Sequence, residues 1–283
     1  MSIKTITADQ VASAVYYAIP ELAYVLPDDV KMALLAAREA ETNPRGRIVL
    51  DQLIENATIA ATERVPICQD TGTVWVCLEI GSNVIVSGDV FSGVNAVVAR
   101  AYEEAKLRNS LVCDAVFNRT NTGNNTPAFC EIHPVPALGV TRLSVMLKGG
   151  GSDNASKVVM LNPSAGKQGI IDEVVSAVKE KAPNACAPVI VGVGIGANFD
   201  KVEGLAKRSL LRRINEVSQD PKVAELENDL LKAVNATGIG PGGVGGKTTA
   251  LAVKVNTAPC HIAAMPLAIN MGCSAMRRVT LEL

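Results

Sequence analysis

The stretch Pro66-Ile67-Cys68-Gln69-Asp70-Thr71-Gly72-Thr73 runs directly into the apolar segment Val74-Trp75-Val76-Cys77-Leu78. A thiol, an amide and a carboxylate stand side by side, and a Thr-Gly-Thr turn follows them. Proline biases the residue before it toward extended backbone, and glycine permits a turn that most residues resist. The pattern predicts a tight polar loop before a buried strand, a place where side chains converge on a ligand. A structural turn around a buried cysteine is the plainer reading, because cysteine is among the most buried residue types.

The 283-residue chain is long enough for a sizeable core, and with 48% hydrophobic but only 3% aromatic residues that core must be aliphatic. A net charge of −1, with no basic block or acidic tail, argues against nucleic acid or a membrane surface as the main partner. The N-terminus lacks the apolar stretch of a signal peptide, and no run is long enough to span a membrane, so a cytoplasmic location is expected. Seven widely spaced cysteines without a secretory signal predict metal binding or plain burial rather than disulfides.

Upstream of the loop, residues 1–64 read as a helical segment. Thr7-Ala8-Asp9-Gln10 has the form of a capping box, with Val11, Val15 and Ile19 at helical spacing behind it. Pro27-Asp28-Asp29 starts a second helix to Ala40, and Asn43-Pro44 ends it before a third over Arg47 to Glu63. Downstream, strands are expected at Val74–Ile80, Asn83–Ser87, Phe129–Ile132, Arg142–Leu147, Val189–Val193 and Ala250–Val255. Helices are expected from Ser92 to about Asn109, Gly166–Lys181, Asp200–Asn215 and Lys222–Asn235. The fold class is therefore α/β: a helical N-terminal segment, then mixed sheets flanked by helices, with no linker that would split 1–283 into separate domains.

Three glycine-rich stretches invite a ligand. Lys148-Gly149-Gly150-Gly151 follows a strand and offers backbone N–H groups and a cation to an anion. Gly192-Val193-Gly194-Ile195-Gly196-Ala197 fits the loose dinucleotide form, with Glu216 at about the expected distance. Gly240 through Lys247-Thr248 approaches a phosphate-binding loop but is interrupted by Pro241. Asn121 through Ala128 is a dense loop signal. Arg108 reads as a solvated cation near a helix C-terminus, and His261, one of two histidines, as a structural residue unless its surroundings say otherwise.

Cys68, Cys186 and Cys273 each sit in a turn-rich setting, far apart in sequence, and no C-x-x-C pair of the zinc-finger kind exists. The segments Pro66–Thr73, Asn121–Ala128, Lys148–Ser152, Ala185-Cys186-Ala187-Pro188, Gly240–Lys247 and His261 through Ala275 together resemble the α subunit of class I, iron–sulfur fumarate hydratases and L-tartrate dehydratases. The resemblance runs from about residue 10 to the C-terminus. It implies an enzyme, the cluster-bearing subunit of a hydro-lyase that dehydrates (S)-malate to fumarate, a reaction of the tricarboxylic acid cycle, with L(+)-tartrate as the alternative substrate. It implies a [4Fe–4S] cluster on loops, held by Cys68, Cys186 and Cys273, with one iron open as a Lewis acid. It makes Gln69, Arg108, Lys148 and Gly150 substrate contacts, and Asp70 with His261 a catalytic pair. It leaves Cys77, Cys113, Cys130 and Cys260 as bystanders. Because no residue presents itself as the base for the opposite face, and the chain ends ten residues beyond Cys273, a β subunit in an α2β2 assembly is expected to complete the site. The rivals from other classes are a nucleotide-binding protein using Gly192–Ala197 or Gly240–Thr248, and a non-catalytic subunit with structural zinc.

Overall fold

The computed structural model describes residues 3–137 and 139–283. Its elements in chain order begin with β1 (Lys4–Ile6), α1 (Ala8–Tyr24), α2 (Asp28–Ala40) and α3 (Pro44–Glu63). There follow β2 (Thr73–Ile80), β3 (Val84–Val86), α4 (Val94–Glu104), β4 (Phe129–Pro134), β5 (Arg142–Lys148) and the single turn α5 (Gly150–Asp153). The remainder is β6 (Lys157–Leu161), α6 (Gly166–Lys181), β7 (Val189–Ala197), α7 (Phe199–Ser209), α8 (Pro221–Asn235), β8 (Ala250–Cys260), β9 (Met265–Gly272) and β10 (Arg277–Glu282). The α/β class and the helical N-terminal segment are as expected, with the capping box at Thr7 formed as read. None of the helices among the described residues is long and apolar enough to cross a membrane.

The chain divides into two compact units. The first takes the chain up to Pro27, then Ile59–Gly150 and Arg277–Leu283; the second takes Asp28–Thr58 and Gly151–Met276.

In the first unit a four-stranded sheet has the order β10-β5-β2-β4, with β2 parallel to β4 and antiparallel to β5. Alternate residues of β2 (Val74, Val76, Leu78) and of β5 (Leu143, Val145, Leu147) face one way, as strand geometry requires. They are buried with Val11, Val15, Ile19 and Leu22 of α1 and with Val94, Val98, Ala101 and Tyr102 of α4. The i, i+4 spacing of the α1 residues is the stripe that seats a helix on such a face. Burial of each of the valine, leucine and isoleucine side chains among them contributes about 1.5–3 kcal/mol.

The second unit is a sheet of order β6-β9-β7-β8 between helices. Val189, Val191 and Val193 of β7 are buried with Val174 and Val178 of α6 and Leu230 and Val234 of α8. On the opposite face lies α7. A Cβ at Gly192 would stand 2.4 Å from the Ala206 carbonyl oxygen, and one at Gly194 only 2.3 Å from that of Val202. These glycines are therefore strand residues whose bareness lets a helix lie directly on β7. The rival dinucleotide reading loses its motif on that ground, since Gly192 and Gly194 do not form the strand-to-helix turn that cradles a pyrophosphate. The Gly240–Lys247 loop runs from α8 into β8 rather than from a strand into a helix, so it also lacks the helix N-terminus of a phosphate-binding loop.

Candidate functional site

Antiparallel pairing places the start of β2, the end of β5 and the start of β10 at one edge of the first sheet. Thr73 is opposite Lys148, and Leu147 is opposite Arg277. The loop before β2, the glycines after β5 and the first residue of β10 therefore meet. Asp70 is the junction: its Oδ1 accepts from the Gly72 amide at 3.0 Å and its Oδ2 from the Gly150 amide at 2.7 Å. Gly72 has φ +83°, and a Cβ there would come within 2.8 Å of the Lys148 carbonyl group, so only glycine lets the strands close at this point.

The surroundings hold that turn from behind. The Tyr102 hydroxyl donates within reach of the Gly72 and Thr71 carbonyl oxygens at 3.0 and 3.1 Å, and burial pushes its pKa well above the ordinary tyrosine value. Asn125, fully buried, donates from Nδ2 to the Gly72 carbonyl at 3.0 Å and accepts from the Ser110 amide at 2.7 Å. This is the work of the Asn121–Ala128 loop. The Thr71 hydroxyl donates to the Arg108 carbonyl oxygen. α4 ends at Glu104, and Lys106 turns at φ 52°, so Arg108 is not the helix-terminal cation the sequence suggested; it is an exposed loop residue tied by its backbone to the Asp70 turn. Gln69 is exposed and Lys148 is 2% exposed.

One residue escaped the sequence reading. Arg277 is 2% exposed, and its Nε and Nη1 have no hydrogen-bond partner. A Cβ built on Gly149 would lie 3.1 Å from Asp70 Oδ2 and 3.5 Å from Arg277 Nη2, so both groups border that glycine. A buried cation with unmet donors carries a desolvation cost and suits a carboxylate partner.

In the second unit, the start of β7, the end of β9 and the start of β8 share one edge: Ile190 pairs with Gly272 and Val189 with Ala250. Cys186 precedes β7 in an exposed turn at φ 55°, and Cys273, half-buried, follows β9. The Ser274 amide donates to the Cys186 carbonyl oxygen at 3.2 Å, which fastens the two cysteine turns together. The Gly242 amide donates to the Ala187 carbonyl at 2.8 Å, so the glycine loop joins the same edge. Glu41 anchors that loop: its carboxylate accepts from the Thr42 and Asn43 amides at 2.9 and 2.8 Å and from the Lys247 amide at 2.8 Å. Burial pushes the Glu41 pKa up, but the amides of Asn43, Lys247, Thr42 and Thr248 outweigh it and hold the group below the ordinary carboxylate value.

His261 stands elsewhere in this unit. It begins the exposed turn between β8 and β9, at the edge where Ala197 pairs with Cys260, opposite the edge of Cys186 and Cys273. Its Nδ1 accepts from the Ala263 amide at 3.1 Å, which leaves Nε2 to carry the proton of the neutral ring.

No cysteine among the described residues forms a disulfide, as expected. Cys68 is half-buried at the Asp70 loop. Cys186 and Cys273, on adjoining turns, offer one accessible and one partly accessible thiol, the donor type that iron–sulfur clusters use. Cys130 differs: burial, with a smaller effect of Asp89, pushes its thiol up to about 11, so it stays protonated at neutral pH. A separate group, Cys77, Glu131 and His133, has ligand atoms within 4.8 Å of one another on β2 and β4. It consists of a Glu131 Oε2–His133 Nε2 contact at 3.1 Å beside a buried thiol and shares no residue with the three loop cysteines.

Residues 12–282 match the family described as fumarate hydratase (fumerase). A protein of Methanocaldococcus jannaschii provisionally named L(+)-tartrate dehydratase subunit alpha is 39% identical over 263 residues, covering 91% of this chain and 92% of its own. The L(+)-tartrate dehydratase subunit alpha of Escherichia coli K12 is 33% identical over 259 residues, covering 90% of this chain and 85% of its own. That of Escherichia coli UTI89 is likewise 33% identical, over 260 residues. With nearly the whole chain matched in each comparison, it belongs to the fumarate hydratase and L(+)-tartrate dehydratase α-subunit family of hydro-lyases.

Proposed function

We propose that this chain is the cluster-bearing α subunit of a hydro-lyase that removes water from a 2-hydroxy dicarboxylate, with (S)-malate to fumarate as the first reading. The observation that carries it is the fastening of the Cys186 turn to the Cys273 turn through the Ser274 amide. Two thiols from distant sequence positions are thereby presented at one sheet edge. Cys186, Cys273 and Cys68 would hold a [4Fe–4S] cluster, and an iron without a thiolate supplies Lewis acidity toward the departing hydroxyl.

The chain's own residues supply the rest. Asp70, fixed by two amides, orients a proton donor at the site, and His261 with its proton on Nε2 serves as that donor. Lys148, Arg108 and Arg277 offer positive charge to a dicarboxylate, and Gln69 an amide. The Gly150 amide already donates to Asp70, so its contribution to binding is to place that carboxylate as much as to touch substrate.

A second reading, dehydration of L(+)-tartrate, is favoured by the names of the relatives at 33–39% identity. Those names also speak of α subunits, which supports a separate β subunit that carries the general base, in an α2β2 complex. The test is anaerobic reconstitution of this chain with iron and sulfide, titrated with its β subunit and assayed on (S)-malate, fumarate and L(+)-tartrate. Turnover of one substrate, saturating at one β per α, is expected. No turnover of any of them by a reconstituted, brown complex would refute the reading.

A further inference from the structure

The first sheet has a second face, made by the residues that alternate with its core side chains. On β2 it carries Trp75 and Cys77, and on β5 Ser144 and Met146, none of them more than 4% exposed. The parallel register of β4 adds two polar side chains to that face, because Cys77 pairs with Glu131 and Glu79 with His133. Cys77 Sγ, a Glu131 carboxylate oxygen and a His133 ring nitrogen all lie within 4.8 Å of one another. The Glu131 Oε2 to His133 Nε2 distance is 3.1 Å. Donors bound at about 2.0–2.3 Å to a tetrahedral zinc ion stand about 3.3–3.6 Å apart, so small side-chain movements gather these three around one ion.

A carboxylate–imidazole pair by itself needs no metal. The third corner is what sets this one apart. The thiol is its floor, at 0% exposure, while the His133 and Glu131 side chains stand at the rim with 28% and 33% of their surface exposed. One direction is thereby left to water. Sulfur, imidazole and carboxylate together are the ligand types of zinc, whereas magnesium and calcium take oxygen ligands.

We propose that Cys77, Glu131 and His133 form a binding site for a divalent cation of the zinc class, with water as the fourth ligand, separate from the three loop cysteines. The ligands are a thiolate, a neutral imidazole and an ionised carboxylate, so the thiol proton leaves to solvent as the ion binds. Ser144, opposite Cys77 on β5, bonds through its hydroxyl to that of Thr280 at 2.8 Å, so hydroxyl groups back the buried thiol. β4 is an edge strand paired with β2, and an ion held by both strands fastens that edge. The same β2 begins at Thr73, directly after the Asp70 turn, so the ion braces the sheet behind the turn without touching substrate.

The test uses the full chain, freed of iron, sulfide and metal by chelation and titrated anaerobically with Zn(II) or Co(II). Because the loop cysteines also take metal, wild type is compared with the Cys68→Ser/Cys186→Ser/Cys273→Ser chain. The triple variant should retain one zinc per chain after dialysis, and its Co(II) form should show a thiolate-to-cobalt charge-transfer band. Adding Cys77→Ser should abolish that band. Adding His133→Gln should weaken zinc binding by at least the roughly 10–100-fold that loss of a supporting residue costs. Zinc should raise the melting midpoint of the triple variant but not of its Cys77→Ser derivative. In the otherwise unaltered chain, His133→Gln should lower retained zinc by one per chain, a comparison independent of how the triple variant folds. No zinc retained by the folded triple variant, a cobalt band that survives Cys77→Ser, or equal zinc in wild type and His133→Gln would overturn the site.

Discussion

The Gly150 amide donates to Asp70 Oδ2 at 2.7 Å, and the Gly72 amide donates to the other oxygen of the same carboxylate. A side chain from the loop before one strand is thus clamped by the backbone at the end of its neighbour. Asp70→Asn keeps the size but removes the charge and one acceptor. We expect a loss of about 1.5–3 kcal/mol in unfolding free energy, the usual size for hydrogen bonds to a charged group. The kcat should fall on the order of 10²–10⁴, as for loss of a group that serves a general acid. Urea melts and steady-state assays check both, and unchanged kcat with lowered stability would make Asp70 a purely structural residue.

Arg277 should behave in the opposite sense. Its buried donors are unmet at Nε and Nη1, and an unmet buried donor costs about 1–3 kcal/mol. Arg277→Met keeps the stem and removes the cation. The prediction is a protein at least as stable as wild type in thermal melts without substrate, but with KM for the dicarboxylate raised tenfold or more. A destabilised Arg277→Met chain with normal KM would show that the guanidinium is a structural strut.

The helices were legible because their signals are local: a capping box at Thr7, apolar residues at helical spacing, prolines at the breaks. β6, β9 and β10 were not. β9 is Met265-Pro-Leu-Ala-Ile-Asn-Met-Gly, mostly buried, so no alternation of polar and apolar residues marks it. β10 opens with two buried arginines, and an arginine pair carries no local signal of a buried strand start. The same fact hid Arg277 from the site. The cysteines were legible by resemblance, and the adjacency of two of them is a long-range outcome of β7 pairing with β9, which no local pattern encodes. The glycines of β7 left two readings open, because a glycine needed for helix-on-strand packing and one needed for a nucleotide turn look alike until the helix is placed.

The cysteine assignments separate by environment. Cys68→Ser, Cys186→Ser and Cys273→Ser should each lose iron and sulfide after anaerobic reconstitution, while Cys130→Ser keeps them. Cys130 is held protonated by burial, and the thiolate is the form that binds metal. Removal of the cluster by chelation should leave far-ultraviolet circular dichroism unchanged, because the two cysteine turns are already fastened by the Ser274 amide. Iron and sulfide analysis of the four variants decides the first point. Full retention by Cys186→Ser would refute the ligand set.

Glu41 gives a prediction in pH. Its folded-state pKa is lowered, so the native protein binds that proton less readily than the unfolded chain does. The stability it contributes is therefore present above the ordinary glutamate pKa, near 4.3, and is lost as pH falls through the lower folded value. Glu41→Gln keeps one acceptor oxygen but not the charge that the Thr42, Asn43 and Lys247 amides address. At pH 7 the variant should be less stable by about 1.5–3 kcal/mol. The gap should close as pH falls below about 4, where wild-type Glu41 takes up its proton and the two side chains become nearly equivalent. Because the carboxylate holds the amide of Lys247 at the end of the glycine loop, the variant should also lose activity at neutral pH without losing iron. Chemical denaturation of both proteins from pH 3.5 to 8 tests the sign. A stability difference that is constant with pH would mean that the anchor works through shape and not through charge.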